Sequence, residues 1–259
     1  MRVHALRLTV GRTWDAGSYD RVGTRMTAMA LAVLDRLELR GDEVVLDAGC
    51  GTGRVTEHLL ERLPHGRVVA VDADPDMVAK ARAVLGDRAT VLRADLTELE
   101  LDQPVDAVLS TATFHWVLDH ERLFRRLFAL LRPGGRLVAQ CGGAGNLTQL
   151  LGATESVARR EPWTPAFAGW TRPMRYAGPA ETAQLLRAAG FTEVRCWLQP
   201  HPIVPDEPLD YLATVPLGAH LDRLPVERRR AFVEEVAALL DEPITADYVR
   251  LNIDAVRPA

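Results

Sequence analysis

Lysine is nearly missing from this chain. Lys80 is the only one among 31 basic residues, and 35 acidic residues leave a formal charge of −4. A surface without excess positive charge is poorly suited to a phosphate backbone, so nucleic acid is not expected as a partner. The arginine bias reads as compositional and carries no functional weight. Cysteine is scarce as well. Cys50, Cys141 and Cys196 are odd in number and far apart, which excludes the paired spacing of a zinc site or redox couple. No metal is expected, and the thiols read as free ones in a reducing compartment. Long apolar runs are also absent. Arginines interrupt "MRVHALRLTVGRTW", so no signal peptide is expected, and no segment reaches the apolar length of a membrane span. The expectation is a cytoplasmic protein, monomer or homodimer, with no membrane partner.

What is present is an alternation of strand and helix patterns, which argues for α/β architecture with a parallel sheet. At 259 residues and 47% hydrophobic content, the chain suits a single domain with insertions. Val22, Met26, Met29, Val33 and Leu37 recur at helical spacing and predict a helix over about 21–38. Strands are expected at 43–47, 67–72, 89–95, 105–110, 136–145 and 192–199. "DYVRLNIDAV" (247–256) alternates apolar and polar residues as a closing edge strand would. Pro75 suits the first turn of a helix after the second strand, and "HERLFRRLFALLRPGG" (120–135) reads as a helix stopped by proline and glycines. The fold class is a Rossmann-like, doubly wound, mostly parallel seven-stranded sheet with an antiparallel edge strand. N-terminal lid helices (1–40), a core (41–145) and helical caps (146–178 and 205–243) make up the domain.

The stretch "VVLDAGCGTGRV" (44–55) ends an apolar strand on Asp47 and then places glycines at 49, 51 and 53. A dinucleotide fingerprint would need glycine where Arg54 stands. A pyrophosphate in that loop would also meet the Asp47 carboxylate, and like charges about 4 Å apart cost about 4 kcal/mol at an effective dielectric near 20. An ammonium group would be attracted instead. The ligand is therefore compact, carries an amino end and lies against bare backbone. Asp72 ends the second strand, where a carboxylate can accept both ribose hydroxyls; its other reading is a cap for the helix at Pro75. Asp95 and Leu96 end the third strand and suit an adenine amino group with an apolar wall. Amino-acid end, ribose and adenine together describe S-adenosylmethionine.

"VVLDAGCGTGRV", "VVAVDADPDMV", "VLRADLTEL" and "DAVLSTATFHWVLD" together resemble the successive motifs of class I S-adenosylmethionine-dependent methyltransferases, over residues 43–145. "STATFHWVLD" and "LRPGGRLVAQ" are most similar to small-molecule enzymes of the trans-aconitate methyltransferase type. The resemblance implies that Asp47, Gly49, Cys50, Gly51 and Gly53 hold the methionine portion, with Tyr19 and Thr111 beside it. It implies Asp72 at the ribose, Met77, Asp95 and Leu96 at the adenine, and Ala73 as a further cofactor contact. Packing remains the other reading for Cys50 and Met77.

The acceptor pocket is expected where the fourth strand ends, at Ser110–Trp116. His115 is the ionisable side chain there and reads either as a general base or as a hydrogen-bonding residue without a chemical role. His120, just after Asp119, reads as part of a cap. A sulfonium methyl is already activated, so alignment and exclusion of water can suffice. For a carboxylate acceptor the useful groups are cations, and Arg172, Arg175 and Arg250 are the candidates. Trp14, Trp116, Trp163, Trp170 and Tyr176 are candidates for an apolar wall, with packing as their alternative. The functional expectation is methyl transfer to a small organic molecule bearing a carboxylate, hydroxyl, amine or carbon acceptor. Rival readings are a non-catalytic S-adenosylmethionine-binding sensor or scaffold and, more distantly, a nicotinamide oxidoreductase.

Overall fold

In the computed structural model, residues 24–259 are described; Trp14 and Tyr19 lie outside them. The first described element is helix α1, Thr24–Leu34. Its Met29, Val33 and Leu34, with Leu37 just beyond, are buried at the predicted helical spacing. Strand β1 (Val44–Ala48) follows, then α2 (Arg54–Glu61), β2 (Arg67–Asp72), α3 (Pro75–Leu85), β3 (Thr90–Arg93), β4 (Val105–Thr111), α4 (His120–Leu130) and β5 (Leu131–Gly142). The central strands β1 and β4 are mostly apolar and largely buried on both faces, as a parallel sheet covered by helices requires.

α4 ends at Leu130, and Arg132–Gly135 form an irregularity inside β5 instead of a turn before it. Pro133 has no N–H for a helix, while the Gly134 N–H donates to Arg257 O (2.9 Å). After β5 come α5 (Thr148–Ala158), α6 (Thr164–Phe167), α7 (Pro179–Ala188), β6 (Thr192–Pro200), α8 (Pro208–Thr214), α9 (Gly218–Leu221), α10 (Val226–Ala237) and β7 (Val249–Val256).

Among the described residues the sheet has seven strands in the order β3-β2-β1-β4-β5-β7-β6. β7 runs antiparallel to both neighbours. The expectation that 247–256 closes the sheet as its edge is therefore corrected: β7 is the second strand in, and β6 is the edge. Its alternation misled because the polar side chains do not face water. Arg250 is 4% exposed and Asn252 0%, and both take part in a buried network described below.

Two apolar clusters cover the sheet. One packs Leu123, Phe124 and Leu127 of α4 and Leu186 of α7 on Leu137, Leu251 and Ile253; the other packs α1, α2 and α3 on Val45, Val68, Leu109 and Val138. A third joins α5, α8, α9 and α10 through Leu150, Val157, Tyr211, Leu217 and Phe232. Helices from the two inserted segments thus share one core. Strand order reverses between β1 and β4, so the crevice outside their carboxyl ends is where a sheet of this kind receives a ligand.

Candidate active site

The loop from β1 to α2 turns through three left-handed glycines, with φ of 89° at Gly49, 55° at Gly51 and 88° at Gly53. At Gly49 a Cβ would fall 2.1 Å from the Thr113 hydroxyl, so this glycine is required by packing. At Gly51 a Cβ would meet nothing within 4 Å, so its backbone borders open space. The N–H groups of Gly49 and Cys50 both donate to Val71 O (2.8 and 2.9 Å), tying the loop to β2. Gly53, the residue before α2, offers the helix no side-chain cap.

Asp47 is 1% exposed and accepts the Thr56 hydroxyl on Oδ2 (2.7 Å). Burial, with Asp72 adding like charge, raises its pKa to about 6. Asp72 accepts the Gly51 N–H on Oδ2 and the Asp74 N–H on Oδ1, both at 2.9 Å. A carboxylate offers about four lone-pair positions, so these bonds do not exhaust its acceptor capacity. Burial raises the Asp72 pKa against the backbone N–H groups of Asp74, Gly51 and Ala73. The helix cap that was the other reading of Asp72 is supplied by Asp74, whose Oδ1 accepts Asp76 N–H and Met77 N–H at 2.9 and 3.0 Å.

Around these groups, Met77 and Leu96 are buried, and Ala73 is exposed. Asp95 spends Oδ1 on the Thr97 N–H and hydroxyl, each at 2.8 Å. The Cys50 thiol is buried and its pKa is pushed far up by burial, the environment of a packing residue.

Beyond the loop, β4 ends at Thr111, whose carbonyl accepts the Thr113 hydroxyl at 3.0 Å. The chain kinks at Ala112 (φ 55°) and enters the short 3-10 turn Phe114–Trp116. Phe114 is buried edge-on against Phe124 (6.0 Å), which anchors the turn. His115 lies beside the end of β5: the Gly142 N–H donates to its Nδ1 at 3.3 Å, and Trp116 and Tyr176 lie at ring distances of 5.3 and 5.8 Å. An Nδ1 that accepts leaves the ring proton on Nε2. Burial, followed by the charges of Arg250, Arg172 and His120, lowers the His115 pKa to about 3. An imidazole held neutral in this way is a poor proton acceptor at neutral pH.

The expected cations separate into two kinds. Arg175 is engaged by Glu181 (2.5 Å) and Leu118 O (2.9 Å). Arg172 lies over the Tyr176 ring at 5.0 Å, and Arg250 lies near Tyr248 at 5.7 Å with its Nε donating to Gln140 Oε1 at 3.3 Å. Among the described residues neither Arg172 nor Arg250 has a carboxylate partner. Both charges bear on His115.

The aromatic residues also divide. Trp163 does not join His115: it is 2% exposed within the helical core, edge-on to Phe232 at 5.2 Å, and its Nε1–H donates to Glu235 (2.9 Å). Its acceptor-wall reading is corrected on that ground, because both its ring and its polar handle are already used. Trp170 packs against His220 at 4.8 Å. The buried His220, whose Nδ1 has no hydrogen-bond partner among the described residues, is lowered to about 4 by burial and by Arg172. His120 bonds Phe114 O at 3.0 Å, and the Asp119 carboxylate caps α4 on the Arg122 N–H (2.9 Å).

Sequence reasoning missed Thr56, Thr113, His220, Gln140 and Asn252. For Thr56 a signal existed, since it lies in the first turn of α2 beneath Asp47; the others depend on long-range packing. A surface groove of about 520 Å³ lined by Pro179, Ala183, Arg187, Arg195, Cys196 and Trp197 shares no residue with this constellation. Among the described residues no group of metal-ligating side chains occurs, and no helix is long and apolar enough to cross a membrane.

Comparison with known proteins agrees with this geometry. A methyltransferase domain family matches residues 45–135. The chain is 30% identical to trans-aconitate 2-methyltransferase of Variovorax paradoxus (strain S110) over 244 residues, 92% of this chain and 93% of that protein. It is 32% identical to the enzyme of the same name from Methylobacterium radiotolerans over 237 residues, 88% and 89% of the two chains. Among solved structures, Haemonchus contortus phosphoethanolamine N-methyltransferase 2 in complex with S-adenosyl-L-methionine superposes with a TM-score of 0.64 at 18% identity, covering 94% of this chain and 57% of that one. The chain belongs to the S-adenosylmethionine-dependent methyltransferases, and its reaction is methyl transfer to a small molecule. S-adenosylmethionine is its cofactor.

Proposed function

We propose that the acceptor is a small polycarboxylate and that the product is its methyl ester. The observation that carries this reading is the pair of guanidinium groups, Arg172 and Arg250, that bear on His115 without carboxylate partners among the described residues. Holding an uncompensated charge in a buried place costs several kcal/mol, and Arg250 is 4% exposed. An anion between them would offset that cost. The V. paradoxus and M. radiotolerans relatives, whose names specify trans-aconitate, support a carboxylate substrate in the same place.

The residues fit the cofactor. We assign the open space beside Gly51, the uncapped start of α2 and the Asp47 charge to its amino-acid end. The remaining acceptor capacity of Asp72 suits ribose hydroxyls, and Ala73, Met77, Asp95 and Leu96 border the adenine. Thr111 and, outside the described residues, Tyr19 complete the expected set. When bound, S-adenosylmethionine supplies an electrophilic methyl on a sulfonium.

A carboxylate oxygen is already nucleophilic, so no proton need be removed. This agrees with a neutral His115: its Nε2–H donates to the acceptor and orients it, and the general-base expectation is set aside. Arg172 and Arg250 grip carboxylates, Tyr176 and Trp116 wall the space, and Trp170 stands behind His220. The helices of both inserted segments exclude water as caps over the core. The same proposal includes a cytoplasmic enzyme, monomer or homodimer, without a nucleic-acid partner; the charge of −4 and three free cysteines support it.

The test is turnover with labelled donor and a panel of mono-, di- and tricarboxylates, phenols and amines. Alkali-labile label on polycarboxylates is expected. Label carried only by phenols or amines would overturn the acceptor assignment, and cofactor binding with no turnover on any acceptor would favour the sensor.

A further inference from the structure

β7 places Arg250, Asn252 and Asp254 on alternate positions, and all three bond to partners on the α1 side of the sheet. Arg36, two residues past α1, donates from Nη1 to Asn252 Oδ1 and from Nη2 to Ala139 O (2.8 Å) and Ile253 O (3.3 Å), and it pairs with Asp254 at 3.2 Å. The Gln140 Nε2–H donates to the same Asn252 Oδ1 at 2.9 Å. The Asn252 Nδ2–H donates to Gln199 Oε1 at 3.3 Å. Arg250 Nε donates to Gln140 Oε1, closing the series.

These bonds leave each amide one orientation. Arg36 has only donors, so Asn252 must present its oxygen to that side. Gln140 must then present its nitrogen to Asn252, which turns its oxygen to Arg250. The order set at Arg36 reaches Arg250 through two neutral amides, in a place where Gln140 is 8% and Asn252 0% exposed. A neutral partner fixes the guanidinium without quenching its charge, which a carboxylate in the same position would do.

We infer that Gln140 and Asn252 are positioning residues that hold Arg250 in its acceptor-binding pose while leaving its full charge to the substrate. This rests on the reading of Arg250 as an acceptor-binding cation. The experiment is a double-mutant cycle on the full-length enzyme with Arg250→Met, Gln140→Glu and both together. Its readouts are KM and kcat for the polycarboxylate, affinity for S-adenosylhomocysteine, and the thermal midpoint.

Gln140→Glu keeps the side-chain shape and is expected to raise the acceptor KM at least about tenfold, the scale of one lost charge-assisted hydrogen bond. S-adenosylhomocysteine affinity should stay within about twofold, a change too small to reflect a lost contact. The double variant should be no worse in KM than Arg250→Met alone. Should Arg250→Met leave KM unchanged, the acceptor reading itself fails. If Arg250→Met raises KM while folded Gln140→Glu does not, or if the two effects multiply, the positioning role is overturned. Asn252→Ser, run through the same cycle, decides the matter if Gln140→Glu does not fold.

Discussion

Replacing Asp47 by asparagine tests the physical premise of the donor site. The carboxyl is fully buried and its pKa is raised from 3.8 to about 6, a displacement worth about 3 kcal/mol at about 1.4 kcal/mol per pH unit. Because the folded-state value is the higher one, the folded protein retains a proton that the unfolded chain has already released. The associated stability is present below about pH 4 and is lost as pH rises through about 6. Asparagine keeps the shape and an oxygen for the Thr56 hydroxyl, but it never ionises. Asp47→Asn is therefore expected to be more stable than the native protein by up to about 3 kcal/mol at pH 8, with the gain vanishing near pH 4.

Urea unfolding of both proteins across that range reads the difference directly, and contributions from titrating groups not coupled to Asp47 cancel. The stabilised variant should bind S-adenosylhomocysteine more weakly, since the amino end loses its counter-charge. Native affinity should rise with pH through about 6, whereas the variant should show no such step. An unchanged stability difference between pH 4 and pH 8 would refute the claim that a buried charge is held at the end of β1.

Other perturbations read the rest of the site. Asp72→Ala should weaken S-adenosylhomocysteine binding by about 1.5–3 kcal/mol, the range for a lost hydrogen bond to a charged group, and titration calorimetry that finds equal affinity would remove its ribose role. Gly51→Ala should cost only about 1–2 kcal/mol of stability for a left-handed residue yet abolish donor binding. Gly49→Ala, whose Cβ falls 2.1 Å from Thr113, should fail to give folded protein; equal yields of the two variants would contradict the loop geometry. With the His115 pKa near 3, kcat should show no ionisation of that residue between pH 5 and 8. His115→Gln, which retains a donor, should keep most of the turnover, and complete inactivity would restore a proton-transfer role.

How much of this was legible depended on where each residue's partners come from. The glycine loop, Asp47 and Asp72 act through backbone paths fixed within a strand–turn–helix segment, so their spacing carried the information. Arg172, Arg175 and Arg250 could be named but not ranked, because the decisive fact is a partner elsewhere: Glu181 engages Arg175, and no described carboxylate engages the other two. Trp163 looked like the other tryptophans until Phe232 and Glu235, some seventy residues on, supplied its surroundings.

The failure at β7 is the most instructive. Alternation of polar and apolar residues reads as one wet and one dry face, an inference that holds only if nothing polar covers the wet face. Here Arg36 and Gln140 cover it, 216 and 112 residues from Asn252, and strand order decides that they meet. Since each amide's orientation is imposed by the next, a change at Gln140 leaves a buried donor or acceptor stranded at Asn252. Substitutions at these two positions should therefore be coupled in stability far more strongly than exposed strand positions would be.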